Sequence, residues 1–175
     1  KKSGSTRARI FINEVSGLAM RAIMHFGFSI GIDDESIPPA AQDQIDQAIL
    51  DAHQEVSNLV ETYEQGDLET LPGRSPAETL ELLIMQVMGG TRNTAGEIAE
   101  ANFPDINPAV IMAQSGARGS LLNLTQMAGC VGQQAVRGER VNRGFEERTL
   151  SHFPRNDKSA AAHGFVENSY TRGLN

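Results

Sequence analysis

Apolar residues recur at helical spacing in the first half of the chain. One stripe has steps of four, three, four and four residues and ends at Gly27; its members are Phe11, Val15, Leu18, Ala22 and Phe26. A second stripe closes at Gly66, a residue suited to a left-handed helix end, and comprises Ile45, Ile49, Ala52, Val56, Leu59 and Tyr63. Each stripe predicts an amphipathic helix. The mixed residues 28–34 between them predict a short, strand-like connection.

A third helix is predicted to begin at a clear start signal. Ser75 can cap the helix, Pro76 suits its first position, and Glu78 completes a capping box. Apolar residues then follow at helical spacing: Leu80, Leu83, Ile84, Val87 and Met88. With the preceding helix and the loop at 66–74, this predicts a long antiparallel αα-hairpin. Its arms should be about 25 and 15 residues long, the second ending at Gly89-Gly90.

The pattern changes after this point. We expect short helices at Gly96–Ala101 and at Asn107–Ala113, the second with Asn107 as its cap. Six glycines follow, and from Val136 onward the sequence predicts turns and brief strands; these glycines are Gly116, Gly119, Gly129, Gly132, Gly138 and Gly144. The fold class is therefore mainly α. Residues 1–105 should form the N-terminal helix and the long antiparallel helical hairpin, and residues 106–175 a glycine-rich α+β portion with short helices and brief strands.

Charge divides the chain at the same place. The net charge is −7, but residues 1–105 carry 7 Lys and Arg against 17 Asp and Glu, whereas residues 106–175 carry 8 against 5. An acidic half joined to a mildly basic half indicates two regions with different roles. The outer face of the second helix bears acidic residues with no Lys or Arg between them: Asp43, Asp46, Asp51, Glu55, Glu61 and Glu64. This face must point to water or to a basic partner.

Cysteine content and hydropathy exclude several classes of protein. The one cysteine, Cys130, excludes an internal disulfide and a cysteine-built zinc site. Its apolar neighbours favour a small buried hydrophobe over a nucleophile. No apolar run approaches the roughly 18 residues needed to cross a membrane, and residues 1–4 do not resemble a signal peptide. We therefore expect a soluble, cytoplasmic protein that contacts no membrane.

The segment 115–120 places Arg118 between Gly116 and Gly119. Glycine allows the backbone to approach a ligand closely, and a guanidinium offers donors in a fixed fork that suits a polyphosphate. The segment is neither a P-loop nor a nucleophile elbow. On the residues alone, a tight turn with a solvated arginine is favoured over a phosphate site.

Other polar residues show no catalytic pattern. Four amides follow Arg118, and they suit the lining of polar channels or the pairing of buried backbone rather than acid–base chemistry: Asn123, Gln126, Gln133 and Gln134. A stretch with four arginines interrupted by glutamates is typical of a solvated surface, with nucleic-acid or subunit contact as the minority interpretation: Arg137, Arg140, Arg143 and Arg148. The four histidines have no metal-ligand spacing and should be packing or surface residues: His25, His53, His152 and His163.

The run at 112–134 contains Gly-Ala-Arg-Gly-Ser followed by Asn-Leu-Thr-Gln-Met-Ala-Gly-Cys-Val-Gly-Gln-Gln. It resembles the largest subunit of multisubunit DNA-directed RNA polymerase. Further matching pieces occur in the family's order, at residues 27–34, 92–96, 137–141, 148–153 and 164–170. The resemblance spans residues 10–174. The Gly-Ala-Arg-Gly-Ser form and the loop Leu71-Pro72-Gly73 look most like the archaeal A-prime subunit.

This resemblance implies a funnel region that lines the secondary channel through which nucleotides reach the active site. Arg118 would contact the incoming triphosphate. Five residues would support the bridge helix from below: Arg92, Asn123, Gln126, Gln133 and Gln134. The hairpin resembles the funnel helices that guide transcript-cleavage factors. The implied partners are nucleoside triphosphates, other polymerase subunits, a cleavage factor, and DNA and RNA through the assembled enzyme.

The family's catalytic motif, Asn-Ala-Asp-Phe-Asp-Gly-Asp, does not occur in this sequence. Mg²⁺ is thus implied for the whole polymerase and not for this chain, which should be inactive in isolation. The abrupt end at residues 170–175 predicts a piece of a longer protein, cut where the bridge helix should begin. The alternative function is a stand-alone helical-hairpin adaptor without a catalytic role. An autonomous nucleotide-binding enzyme is disfavoured, because the sequence lacks a metal site, a general base and a complete phosphate loop.

Overall fold

A computed structural model describes residues 4–174, which are mainly helical as predicted. The described residues fall into two compact units, one ending at Gly31 and the other beginning at Ile32. The first unit contains α1 (Gly4–Phe26), which confirms the first predicted helix, and no described residue of α1 is buried. The division at residues 105 and 106 that charge suggests stays a prediction about roles.

The strand-like connection predicted at 28–34 is wrong. Residues 28–31 have no regular structure, and a 3₁₀ turn at Ile32–Glu35 follows. Phe28, Ile30 and Ile32 alternate with small and polar residues, but the described ladders include none of residues 28–34. Without a neighbouring strand, alternation alone does not create a sheet.

The predicted hairpin is confirmed as α2 (Pro39–Gln65) and α3 (Pro76–Asn102). Gly66 closes α2 in the left-handed conformation, with a φ of 82°. At the start of α3, Glu78 N donates to Ser75 Oγ, and Ser75 N donates to Glu78 Oε2 at 2.8 Å. The capping box that the sequence predicts is therefore present.

The second arm is longer than predicted. Each helix of the hairpin has 27 residues, so the end expected at Gly89-Gly90 and the separate helix expected at Gly96–Ala101 are wrong. Glycine inside a helix costs about 1 kcal/mol relative to alanine. The buried positions nevertheless continue at helical spacing past the two glycines, through Met88, Thr91, Ala95 and Ala99. Packing of this face overrides the local propensity.

The hairpin provides most of the core and also anchors the second half of the chain. Ile45 and Ile49 of α2 pack with Leu80, Ile84 and Met88 of α3. Three buried residues from the second half join the same cluster: Cys130, Ala160 and Phe165. A smaller cluster lies at the end of α3 and comprises Ala99, Phe103, Ala109, Val110, Leu124 and Ala128. The glycine-rich region is thus built on one face of the hairpin.

The second half has short elements, as predicted. The helix expected at Asn107–Ala113 is confirmed as α4 (Pro108–Gln114), with Asn107 Oδ1 accepting from the backbone of Ala109 and Val110. A single-turn α5 (Leu121–Leu124) runs into a π turn at Thr125–Gly129. Four two-residue strands follow, with a 3₁₀ turn at Ala161–His163 before the last: β1 (Gly132–Gln133), β2 (Ala135–Val136), β3 (Glu139–Arg140) and β4 (Phe165–Val166). β1 pairs antiparallel with β4, and β2 with β3.

Candidate functional site

Arg118 lies in the loop that connects α4 to α5, and its side chain is exposed. The flanking Gly116 and Gly119 both have left-handed backbone, with φ of 71° and 75°, a conformation that glycine adopts without strain. The position of a Cβ on Gly116 meets no atom within 4 Å. The left-handed backbone therefore explains both glycines, and the arginine between them is exposed.

Asn123 shapes the same loop from its far end. Its Oδ1 accepts hydrogen bonds from Ser120 N and Ser120 Oγ, each at 2.9 Å, and so fixes the start of α5. Gln126 lies one turn further along, in the π turn, and is half-buried. Residues three apart in a helix share a face, so α5 and the π turn carry Asn123 and Gln126 on neighbouring positions of one surface.

Gln133 and Gln134 lie at β1. Gln133 is buried, and its Nε2 donates to the carbonyl oxygens of Gln134 and His163, both at 2.8 Å. Its Oε1 is buried without a hydrogen-bond partner in the described part of the chain. Gln134 is exposed, and its backbone N donates to Gly164 O at 2.8 Å. The Gln133 amide thus holds the backbone together and has one oxygen without a partner in the described chain, whereas Gln134 is exposed.

Arg92 of α3 lies beside Gly132, the first residue of β1. A Cβ on Gly132 would lie 2.8 Å from Arg92 Cγ, so only glycine lets β1 begin this close to the arginine stem. Burial raises the pKa of the adjacent Cys130 thiol to about 11, while the charge of Arg92 opposes that shift. The prediction that Cys130 is a buried hydrophobe rather than a nucleophile is consistent with this environment.

The structure therefore distributes the five supporting residues over three places: Arg92 lies on α3, Gln133 and Gln134 lie at β1, and Asn123 and Gln126 lie on α5 and the π turn. Gly132, the residue before Gln133, lies against the Arg92 stem, and the π turn that carries Gln126 packs on α3. No hydrogen bond or ion pair links Arg118 to any of the five within residues 4–174. Their roles toward nucleotides and the bridge helix stay predictions.

Arg140 is not the solvated residue that the sequence suggests. Its side chain is 1% exposed, and its Nη2 donates to Ser159 O at 2.7 Å and to Lys158 O at 3.2 Å. Nη1 lies 3.4 Å from Glu81 Oε2. Burial lowers the pKa of this guanidinium, and the charges of Glu81 and Asp157 oppose the shift. Because the carbonyls that bury it lie far along the sequence, no local pattern separates Arg140 from its exposed neighbours Arg137 and Arg143.

Two histidines have structural contacts, as predicted for packing residues. His53 of α2 lies edge-on to the Phe165 ring, and its Nε2 is 2.9 Å from Glu167 Oε1. Both ring nitrogens of His163 lie 2.8 Å from carbonyl oxygens, those of Val141 and Asp157. Among residues 4–174, no group of three or more His, Cys, Asp or Glu side chains could hold a metal ion.

Sequence reasoning missed the polar contacts that join the second half to the hairpin: Glu167 with His53, Arg140 with Glu81, and Arg172 with Asp46. Arg172 Nη1 lies 2.6 Å from Asp46 Oδ1 on α2. Asp46 therefore differs from Asp51 and Glu61 of the acidic face, because its partner is an arginine whereas theirs are glutamines of α2. The sequence signal for such contacts was the absence of Lys and Arg from α2, because its acidic residues can then pair only with cations from other parts of the chain or from a partner. In the described residues, no helix is long and apolar enough to cross a membrane.

Comparison with known proteins identifies the family. Residues 60–166 match the family described as RNA polymerase Rpb1, domain 4. The chain is 69% identical over 174 residues to DNA-directed RNA polymerase subunit Rpo1N of Halobacterium salinarum, covering 99% of this chain and 18% of that protein. It is 68% identical to Rpo1N of Halococcus morrhuae, of which it covers 50%. Rpo1N of Methanothermobacter thermautotrophicus is 51% identical, and the chain covers 20% of it.

The matches cover most of this chain but only part of each relative's length. The family model covers more than half of the chain, and the archaeal relatives match it almost from end to end, whereas the chain spans between about a fifth and a half of their own lengths. A hairpin adaptor unrelated to polymerases is therefore wrong. The chain belongs to the RNA polymerase Rpb1 family and is a fragment of a DNA-directed RNA polymerase largest subunit of archaeal type.

Proposed function

We propose that this fragment lines the channel through which nucleoside triphosphates reach the polymerase active site, and that Arg118 contacts the incoming triphosphate. The observation that carries the proposal is the exposed Arg118 side chain, which lies between two glycines with left-handed backbone. Arg140 and Arg148, by contrast, donate to backbone carbonyls within the chain. Within residues 4–174 the Arg118 side chain is exposed and makes no such hydrogen bond, so it can contact a ligand.

A guanidinium can serve nucleotide addition without any proton transfer. Its donors form charge-assisted hydrogen bonds to phosphate oxygens, and its fixed positive charge offsets negative charge that develops as the bond to the leaving pyrophosphate breaks. The loop geometry suits this role, because the glycines set the backbone and leave the long side chain free to reach. Catalytic Mg²⁺ would be held elsewhere in the subunit.

Replacement of Arg118 tests this contact in the assembled polymerase. Arg118→Ala should raise the KM for nucleoside triphosphates roughly tenfold or more, since a hydrogen bond to a charged group contributes about 1.5–3 kcal/mol. Arg118→Lys should retain part of the affinity, because it keeps the charge but loses the fork. Arg143→Ala, at another exposed arginine of the same half, is the control. An unchanged KM for Arg118→Ala would refute the triphosphate contact.

We infer a supporting role for the five polar residues near β1 and the π turn. Gln133 Oε1 is a buried acceptor with no partner within residues 4–174. Gln134 and Asn123 present exposed amides on the same half of the chain. The exposed amides of Gln134 and Asn123 can donate to and accept from a neighbouring element, for which the family resemblance suggests the bridge helix.

The acidic face of α2 is the proposed docking surface for a transcript-cleavage factor. Asp43, Asp51, Glu55, Glu61 and Glu64 are all exposed, and α2 contains no Lys or Arg. A partner with a basic surface would be attracted to it, with an affinity that falls as salt is added.

Charge removal on α2 tests the docking surface. In the assembled polymerase, Asp51→Asn with Glu55→Gln should weaken factor binding by about two- to fivefold per charge and flatten its salt dependence. Glu97→Gln with Glu100→Gln removes two exposed charges from α3 and is the control. Equal binding by both double variants would place the docking surface elsewhere.

A further inference from the structure

The segment at residues 165–172 lies against the π turn at Thr125–Gly129. Tyr170 N donates to Gln126 O at 3.0 Å, and Thr171 N donates to Met127 O at 3.1 Å. In the opposite direction, Val131 N donates to Asn168 O at 3.1 Å. The last carbonyls of a helix have no partner inside the helix. Residues 165–172 supply those partners and so hold the end of the π turn in place.

The same segment is also held by α2. Arg172 contacts Asp46 at 2.6 Å, and Glu167 contacts His53 at 2.9 Å. Asp46 and His53 are seven residues apart, about two helical turns, and therefore lie on one face of α2. The segment thus runs along this face with one polar contact near each end.

Interactions inside the segment make it stiff. Ser169 is fully buried, its Oγ lies 3.1 Å from Thr171 Oγ1, and it accepts from Arg172 N at 3.3 Å. Thr171 Oγ1 also donates to Met127 O at 2.7 Å. A displacement of Arg172 would therefore be passed to Thr171 and then to the carbonyl of Met127.

We propose that Asp46 and Arg172 are positioning residues for nucleotide addition. Their ion pair holds residues 168–172 against the carbonyls of Gln126 and Met127, and this sets the orientation of the π turn that carries the Gln126 side chain. Neither residue touches the nucleotide; both act through Gln126. The proposal rests on the proposed function, because it requires Gln126 to face the reacting part of the polymerase.

A charge-exchange cycle in the assembled polymerase tests the proposal. The variants are Asp46→Asn, Arg172→Gln and the double exchange Asp46→Arg with Arg172→Asp. We expect each single variant to lower kcat for nucleotide addition about two- to fivefold, the range expected for a half-exposed ion pair. The KM for triphosphates should not change, because the triphosphate contact is separate. The double exchange should recover at least half of the lost rate.

Amide hydrogen exchange provides the readout that does not depend on activity. Exchange at Tyr170 and Thr171 should accelerate in Asp46→Asn and return toward the parent rate in the double exchange. Glu97→Gln, an exposed neutralisation on α3, is the control for both measurements. Unchanged kcat or exchange in the single variants, or a double exchange as impaired as they are, would overturn the proposal.

Arg118→Ala in the same assay separates this proposal from the proposed function. If Arg118→Ala leaves the KM unchanged while the charge exchange restores kcat, the proposed triphosphate contact is refuted and the proposed positioning role of Asp46 and Arg172 is retained. A raised KM for Arg118→Ala with no effect at Asp46 or Arg172 would leave the triphosphate contact and overturn the positioning pair.

Discussion

The α2–α3 hairpin is held by apolar side chains at helical spacing, whereas residues 131–172 are held largely by polar side chains that reach backbone carbonyls. In the hairpin, Ile45 and Ile84 are fully buried, and the side-chain hydrogen bonds of α2, apart from that between Asp46 and Arg172, join residues four apart. In residues 131–172, Arg140, Thr149 and Gln133 are buried, and each donates to a carbonyl at a distance in sequence. Strands of two residues contribute few backbone hydrogen bonds, so side-chain donors satisfy many of the carbonyls instead.

This difference predicts which kind of substitution destabilises each region. A helix face tolerates exchange among apolar residues of similar volume. A carbonyl that depends on one donor loses its partner completely when that donor is replaced. Three measurements of unfolding free energy on the 175-residue chain compare the loss of a buried donor with changes in the helical hairpin.

The largest effect is expected at Arg140. Arg140→Met removes the donor to Lys158 O and Ser159 O and should lower the free energy of unfolding by about 1–3 kcal/mol. Arg143→Met, three residues on and exposed, should change it by less than about 0.5 kcal/mol. Chemical denaturation measures both. Equal losses would mean that the buried guanidinium does not organise the second half.

The hairpin depends on a polar group at the start of α3, and its effect should vary with pH. Hydrogen bonds from Ser75 N and Oγ lower the pKa of Glu78 below its usual value of 4.5. A carboxyl whose pKa is lowered by folding stabilises the fold at neutral pH, and that contribution is lost as the pH falls through the folded pKa. Ser75→Ala should cost about 1 kcal/mol at pH 7.

Titration separates the carboxylate from the serine cap. The Ser75 and Glu78 amide signals in NMR spectra should shift as the pH falls below 4.5 in the parent chain. Glu78→Gln should abolish that titration while the amide still accepts from Ser75. A titration that persists in Glu78→Gln would assign it to another group.

The smallest effect is a gain in stability. A Cβ on Gly90 meets no atom within 4 Å, so Gly90→Ala should stabilise the chain by about 0.5–1 kcal/mol through helix propensity. Gly96→Ala is the matched contrast on the same helix, because its Cβ would lie 2.7 Å from the buried Thr125 Oγ1. It should destabilise the chain. If both stabilise, α3 and the π turn are less closely packed than the structure indicates.

Local signals predicted the parts of the fold that local interactions determine. The cap at Ser75, the left-handed end at Gly66 and the Asn107 cap were all readable, because each depends on residues within four positions. The continuation of α3 past Gly89-Gly90 was not, since the decisive contacts come from Ile45 on α2 and Cys130 in the second half. Propensity alone placed the helix end too early.

The candidate site shows the same limit. The resemblance to polymerase subunits supplied Arg118 and the five supporting residues, but no periodicity connects Asp46 with Arg172, 126 residues away. Burial of Arg140 depends on the path of residues 157–159, which no short pattern encodes. Long-range polar contacts become visible only when the chain is folded.

The π turn requires a fixed number of residues between Leu124 and Cys130. Cys130 N donates to Thr125 O, five residues back, one more than in an α-helix. With one residue fewer, the helix would close normally, and every residue beyond the deletion would rotate by about 100° around its axis. Cys130 would leave the core, and the carbonyls that meet Tyr170 and Thr171 would point elsewhere. Between Leu124 and Cys130, the number of residues therefore matters as much as their identity, and we expect single-residue insertions and deletions here to be more damaging than most substitutions.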